Sequence, residues 1–235
     1  MAGFAPGSGA RILLGDFSLS PKLNDAKHPY TVEMLDTTTF GSAGSKEFIP
    51  GIDTSTFTAA GFVDLATFTD QTAWKGQTAD TPLTYFPFGD TVGNQADIMN
   101  SQQSKLEIGT PVLGVVNFNF DAQTDGATDF GVSLHALGAE TANSTGTIHD
   151  NTGSSANGAA ASLHVTAFSG FTNIAIKITH SATSFTPVDL ITFTTVTGVT
   201  SQLSTVAGTV NRYTRVEWTV SGSGSCTFAV AFARR

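Results

Sequence analysis

Ile174, Ile176 and Ile178 alternate with Ala175, Lys177 and Thr179. That two-residue period constrains this chain more than any other feature. Alternate side chains lie on opposite faces of a strand, whereas a helix repeats every 3.6 residues. The same rhythm returns in Leu163, Val165 and Ala167 against His164 and Thr166. It returns in Tyr213, Arg215 and Glu217 against Thr214, Val216, Trp218 and Val220, and in Phe228, Val230 and Phe232 against Ala229, Ala231 and Ala233. Short alternating runs with turn residues between them, and no helical period, predict an antiparallel β-sandwich over 161–235.

The first half is also strand-rich. Runs of β-formers predict strands over Ala10–Leu19, Tyr30–Thr38, Thr54–Val63, Leu83–Phe88, Ala96–Ile108 and Phe130–Leu137. Pro111–Asp121 is predicted as one long strand, in which Val116, Phe118 and Phe120 alternate with Asn117, Asn119 and Asp121. One short helix is expected over Asp64–Lys75: Leu65, Phe68 and Thr72 share a side, Asp64 can cap the start and Gly76 can end it. Gly138–Ala160 is dominated by Gly, Ala, Ser, Thr and Asn and reads as a linker or long surface loop. The expected organisation is therefore mainly β: a domain over 1–138, a linker over 139–160 and a second β-domain over 161–235.

Between the strands Tyr30–Thr38 and Thr54–Val63 lies a loop of about fifteen residues, where two would suffice for a hairpin. It carries one base, Lys46, and one acid, Glu47, and ends Phe48-Ile49-Pro50-Gly51. Two apolar side chains and a proline with fixed φ favour docking on something. Two outcomes are open: an arm reaching a neighbouring subunit, or a loop whose Phe48 and Ile49 pack on their own domain. The candidate inter-subunit arm comprises Phe40, Gly41, Lys46, Glu47, Phe48, Ile49, Pro50 and Gly51, within an extended loop over 40–52.

The string DTTTFGSAGSKEFIPGIDTSTFTAAGF, residues 36–62, resembles the tail tube proteins (major tail proteins) of long-tailed, non-contractile bacteriophages. The family pattern is a Thr-Thr-Phe-Gly run, an aromatic-Ile-Pro-Gly run and a strand ending small-Gly-Phe. The likeness continues through residues 87–137 and covers about the first 138 residues. It implies a tail-tube-like β-sandwich or barrel with one helix, in subunits that form stacked rings, hexameric in the family.

Composition agrees with a protein covered by neighbours. Only 13% of the 235 residues are charged, about half the usual share. Forty per cent are hydrophobic and the mean hydropathy is +0.06, which allows a sizeable buried core. Net charge is −8, which argues against binding nucleic acid through its phosphates. Residues 1–138 hold 15 acids and 6 bases, and residues 139–235 hold 4 and 5. Acids lining a pore would repel passing DNA; acids spread over a surface would only keep the domain soluble.

No catalytic or metal-binding pattern emerges. Cys226 is alone, so no intrachain disulfide is expected. His28, His135, His149, His164 and His180 have no metal-ligand spacing. Asp121, Asp125 and Asp129 are spaced wrongly for a calcium loop. Trp74 and Trp218 could line a sugar site, but Trp218 shares a face with Val216 and Val220 and reads as core. The expectation is a structural virion protein without cofactor: a tube subunit made in the host cytoplasm, which joins copies of itself and other tail proteins into a conduit that passes DNA without specific binding. The alternative is a capsid decoration or receptor-binding protein, with a surface glycan held by the C-terminal domain.

Overall fold

A computed structural model describes residues 7–42, 44–63, 79–183 and 186–235, and every regular element of five or more residues among them is a β-strand. The mainly-β expectation holds. The helix expected over Asp64–Lys75 lies outside the described residues.

The chain divides into two units, the first made of residues 1–21, 80–100 and 128–235, the second of 22–79 and 101–127. The boundaries expected at 138 and 160 do not coincide with these. The second unit is built from two excursions of the chain rather than from one stretch, so no shift in composition marks its limits.

In the first unit, β11 (Ala159–Ser181) and β14 (Tyr213–Arg234) pair antiparallel from Ala159↔Arg234 to Ser181↔Tyr213. The register shifts between Val165 and Ala167, Ser169 and Phe171, and Phe171 and Asn173. Each bulge adds a residue and resets the alternation. For that reason Leu163 and Val165, at odd positions, share one core with Ile174, Ile176 and Ile178, at even ones. The two strands lie close at a bulge: a Cβ on Gly224 would lie 2.1 Å from the Ser169 carbonyl oxygen.

The last residues of β14 are buried on both faces. Phe228, Val230 and Phe232 enter the core that holds Val216, Trp218 and the isoleucines. Ala229, Ala231 and Ala233 enter a second core with Leu13 of β1 (Arg11–Leu14), Phe86 of β6 (Thr81–Phe86), and Ala96 and Ile98 of β7 (Gln95–Gly109). With β2 (Phe17–Ser18), β8 (Asn117–Glu140) and β12 (Val188–Thr192), the hydrogen-bonded path runs β12-β11-β14-β8-β7-β6-β1-β2. β13 (Thr200–Val206) adds to β11 from Ala159↔Val206 to Val165↔Thr200.

A buried polar chain ties β6 to β11, which are not neighbours on that path. Thr84 Oγ1 lies 2.7 Å from Ser162 Oγ and 2.8 Å from His164 Nε2, and His164 Nδ1 lies 2.7 Å from the Gly15 carbonyl oxygen. A carbonyl only accepts, so Nδ1 carries the proton, Nε2 accepts from Thr84, and Ser162 donates to Thr84. Burial pushes the His164 ring down to about 4, so it is neutral at pH 7.

The segment 139–160, expected as a linker or long surface loop, lies in the first unit and is fastened to β14. β9 (Ser144–Thr145) and β10 (His149–Asp150) pair with β14. Arg212 grips Asp150 through Nε (2.7 Å) and Nη2 (2.6 Å), and Arg234 donates to the Gly153 and Asn151 carbonyls. Its small polar residues serve hydrogen bonds and turns, a use composition alone does not separate from flexibility.

The second unit centres on β5 (Phe48–Phe62). One edge of β5 carries β3 (Leu23–Lys27) and β4 (Tyr30–Asp36); the other pairs with β8 from Thr56↔Gln123 to Phe62↔Asn117. Phe57, Ala59, Phe118, Phe120 and Ala122 are buried there. Gly61 has no room for a side chain, because a Cβ would meet the Lys22 carbonyl oxygen at 2.1 Å.

Candidate functional site

The stretch 30–55 forms a β-hairpin. β4 and β5 pair from Tyr30↔Ser55 to Asp36↔Phe48, with a register shift between Val32 and Met34. There Gly51 and Ile52 oppose Glu33. A Cβ on Gly51 would sit 3.3 Å from the Glu33 carbonyl oxygen, so the small residue suits the bulge. Phe48, Ile49 and Pro50, expected in the loop, belong to the strand and pair with Asp36, Leu35 and Met34. The connecting loop is 37–47.

That loop is held by its own polar groups. Thr37 N donates to the Glu47 carbonyl (2.9 Å), Glu47 N to Thr38 Oγ1 (3.0 Å), Thr38 N to Asp36 Oδ1 (2.9 Å) and Thr39 N to Ser42 Oγ (3.0 Å). The Thr38 hydrogen bonds lower the Asp36 carboxyl below its usual range. Lys46 Nζ lies 6.0 Å from the Phe48 ring centroid. Of the predicted arm residues, Lys46, Glu47, Phe48, Ile49, Pro50 and Gly51 are therefore gathered on one strand and its entry, with Phe40 and Gly41 at the tip.

The apolar side chains of this hairpin face outward. Phe40 is fully exposed (113%), and Phe48 (47%) and Ile49 (51%) are half-exposed. Tyr30, Met34, Leu35 and Ile52 are exposed as well. Met34 with Pro50 and Leu35 with Ile49 are cross-strand pairs at successive register positions, so both faces of the hairpin present apolar surface.

A second apolar tip was not foreseen. Val112 (99%) and Leu113 (98%) stand exposed in the turn between β7 and β8, flanked by exposed Ile108 and Val115. The strand expected from Pro111 begins only at Asn117. The run Val112–Val116 looks like strand sequence, yet Pro111 and Gly114 mark a turn, and those two residues were the available signal. Among the described residues, 17 large hydrophobic side chains are exposed, and 12 of them fall in the second unit.

The expected polar face is present. Asp25, Thr58, Ala60, Lys105, Asn119 and Asp121 line an open depression of about 210 Å³ in the second unit. Two of its charged residues are paired with neighbours outside it: Asp25 lies 3.0 Å from Lys27, and Lys105 lies 2.7 Å from Glu107.

The remaining candidates are occupied structurally. Asp125 accepts from Gln102 (3.3 Å) and Asp129 is held by Arg235 through two contacts of 2.7–2.8 Å. His180 Nδ1 accepts from Asn211 N (3.1 Å), far along β11 from His164. Cys226 is buried, which pushes its thiol up to about 11. Trp218 is buried against Phe228 (5.5 Å) and His135 (5.0 Å), and its Nε1 donates to the Ala142 carbonyl, so its faces are not open to a sugar. Among the described residues no group of three His, Cys, Asp or Glu could hold a metal.

No protein-family model matches the chain, and no curated protein does. Several solved structures are similar to it. A chain from the virion of a native gene transfer agent particle is 16% identical, over 54% of this chain and 98% of its own, with a TM-score of 0.42. One from the tail of an empty gene transfer agent particle, refined with C6 symmetry, is 15% identical over 46% and 81%, at 0.39. The Dit protein of phage SPP1, from the hub adsorption apparatus of phages that infect Gram-positive bacteria, is 11% identical over 95% and 98%, at 0.38.

Proposed function

We propose that this chain is a structural subunit of a phage tail, a tail tube protein whose copies form rings and stack into a conduit for DNA. The observation that carries the reading is the hairpin Tyr30–Ser55, which projects apolar side chains from both faces and makes its tip hydrogen bonds internally. A solitary soluble domain gains nothing from such an element, whereas an oligomer buries it. The sequence resemblance over residues 36–62 and 87–137 supports the same reading and implies six subunits per ring. Sheet edges in the second unit would pair between copies, which removes open edges. The acids of residues 1–138 would then keep DNA from adhering to the bore.

Negative-stain microscopy of the purified protein tests this, with rings or tubes as the expected result. Phe40→Ser combined with Phe48→Ser should keep the fold and abolish the tubes. A wild-type protein that stays monomeric at high concentration would overturn the reading.

A further inference from the structure

His164 joins segments that lie far apart in the sequence. It is buried on β11; its Nδ1 donates to the Gly15 carbonyl in the turn between β1 and β2 (2.7 Å), and its Nε2 accepts from Thr84 of β6 (2.8 Å). On the hydrogen-bonded path β6, β1 and β2 stand at the end remote from β11, yet β6 and β2 lie against β11 within the first unit. That end of the sheet therefore returns over β11 as a second layer, in which Leu13, Leu14, Leu19 and Leu83 are buried. The layer is held together by its own pairing, from Arg11↔Phe86 to Leu14↔Leu83, and by Gly15 N on the Pro82 carbonyl (2.9 Å). β11 is held separately, by ladders in which Ser201 of β13 and Ala229 of β14 stand opposite His164. The chain Ser162–Thr84–His164–Gly15 bridges the two.

We infer that His164 is an acid-released latch: neutral, it clamps the β1–β2 turn and β6 to β11; protonated, it lets that layer lift while the β11–β14 ladder stays paired. A proton on Nε2 removes the acceptor that Thr84 uses and leaves a charge enclosed. Neither of the ring's hydrogen-bond partners is a carboxylate that could pair that charge. Burial and the Gly15 bond govern the ring's titration, with no charged group contributing. The ionisable groups on the elements packed round it are Asp16, beside Gly15; Arg11, tied to Asp90 at 2.8 Å; Tyr85 on β6; and Cys226 and Arg234 on β14, with Arg215 and Glu217 at that strand's other end. β13 carries none. Lifting the layer admits water, which solvates the charge and replaces both partners. The lifted ring takes up a proton near its ordinary value of about 6.5, the latched ring only at about 4. The latch is therefore whole above about pH 6.5 and weakens as the pH falls.

Hydrogen-exchange mass spectrometry of the whole chain at pH 7 and pH 5, corrected for intrinsic exchange, tests it. From those two proton affinities, opening of residues 11–19 and 81–86 should rise about twenty-fold between pH 7 and pH 5. Residues 173–178 and 216–221, on the β11–β14 ladder, should not change. His164→Asn should abolish the rise, and Asp16→Asn should keep it. A flat response at 11–19 and 81–86 in the wild type overturns the inference, as does an equal rise in both sets of residues. So does a rise that survives His164→Asn, or one that Asp16→Asn removes. His164→Gln serves in place of His164→Asn if that variant does not fold, and the wild-type and Asp16→Asn results decide by themselves if neither does.

Discussion

Replacing His164 with asparagine should flatten the acid sensitivity of folding. In the folded chain the ring is fully enclosed, donates to the Gly15 carbonyl and accepts from Thr84, and takes up a proton only near pH 4. Once unfolded, it takes one up near pH 6.5. The folded value is the lower one, so the stability is whole above about pH 6.5 and drains away as the pH falls toward 4. A gap of about 2.5 pH units corresponds to about 3 kcal/mol. The His164→Asn variant keeps an amide donor for Gly15 and has nothing to titrate at that position. It should be less stable at pH 7 by about 1–3 kcal/mol, because Thr84 loses its acceptor. Between pH 7 and pH 4, however, it should lose about 3 kcal/mol less than the wild type. Urea melts of the unassembled protein at several pH values, followed by tryptophan fluorescence, give both slopes. Carboxylates and the other histidines titrate in both proteins and cancel in the comparison. Parallel pH curves, or an NMR titration of His164 centred near its ordinary unfolded value, would refute the reasoning.

Gly61→Ala should be destabilising by more than about 1 kcal/mol, read as a lower urea midpoint, since its new methyl would press on the Lys22 backbone. Phe228→Ala opens a hole beside Trp218 and His135 and should cost about 3–5 kcal/mol, again measured by urea titration. Arg212→Ala should leave global stability within error, because the Asp150 fork lies at the surface, while speeding amide exchange over residues 149–152 in hydrogen-exchange mass spectrometry.

The two-residue rhythm of residues 161–235 was sufficient to predict strands there, because each period-two run has at least one face in a core. It could not show that β11 and β14 are single strands of 23 and 22 residues, since the register shifts between Val165 and Ala167, Ser169 and Phe171, and Phe171 and Asn173 break the parity that a reader follows. Nor could it show that the chain leaves the first unit twice to build the second: that depends on pairings such as Phe57↔Ala122, which join residues far apart in sequence. The apolar hairpin was legible because Phe48-Ile49-Pro50-Gly51 is odd chemistry for a loop. The Val112–Leu113 tip was not, because an aliphatic run looks the same in a buried strand and in a bare turn. Residues 139–160 are polar enough for a linker or a long surface loop, and composition alone does not show that Arg212, Arg234 and Trp218 hold them.

If copies join as proposed, the internal bonding of residues 37–47 would bear on how fast they do so. A floppy segment must be frozen at the moment of contact, and each immobilised residue subtracts from the binding energy. Here Thr38, Thr39 and Ser42 have already fixed the loop's shape when the chain folds. On the tail-subunit reading proposed above, a partner would meet a loop already shaped, so encounter rather than rearrangement should govern the rate of growth.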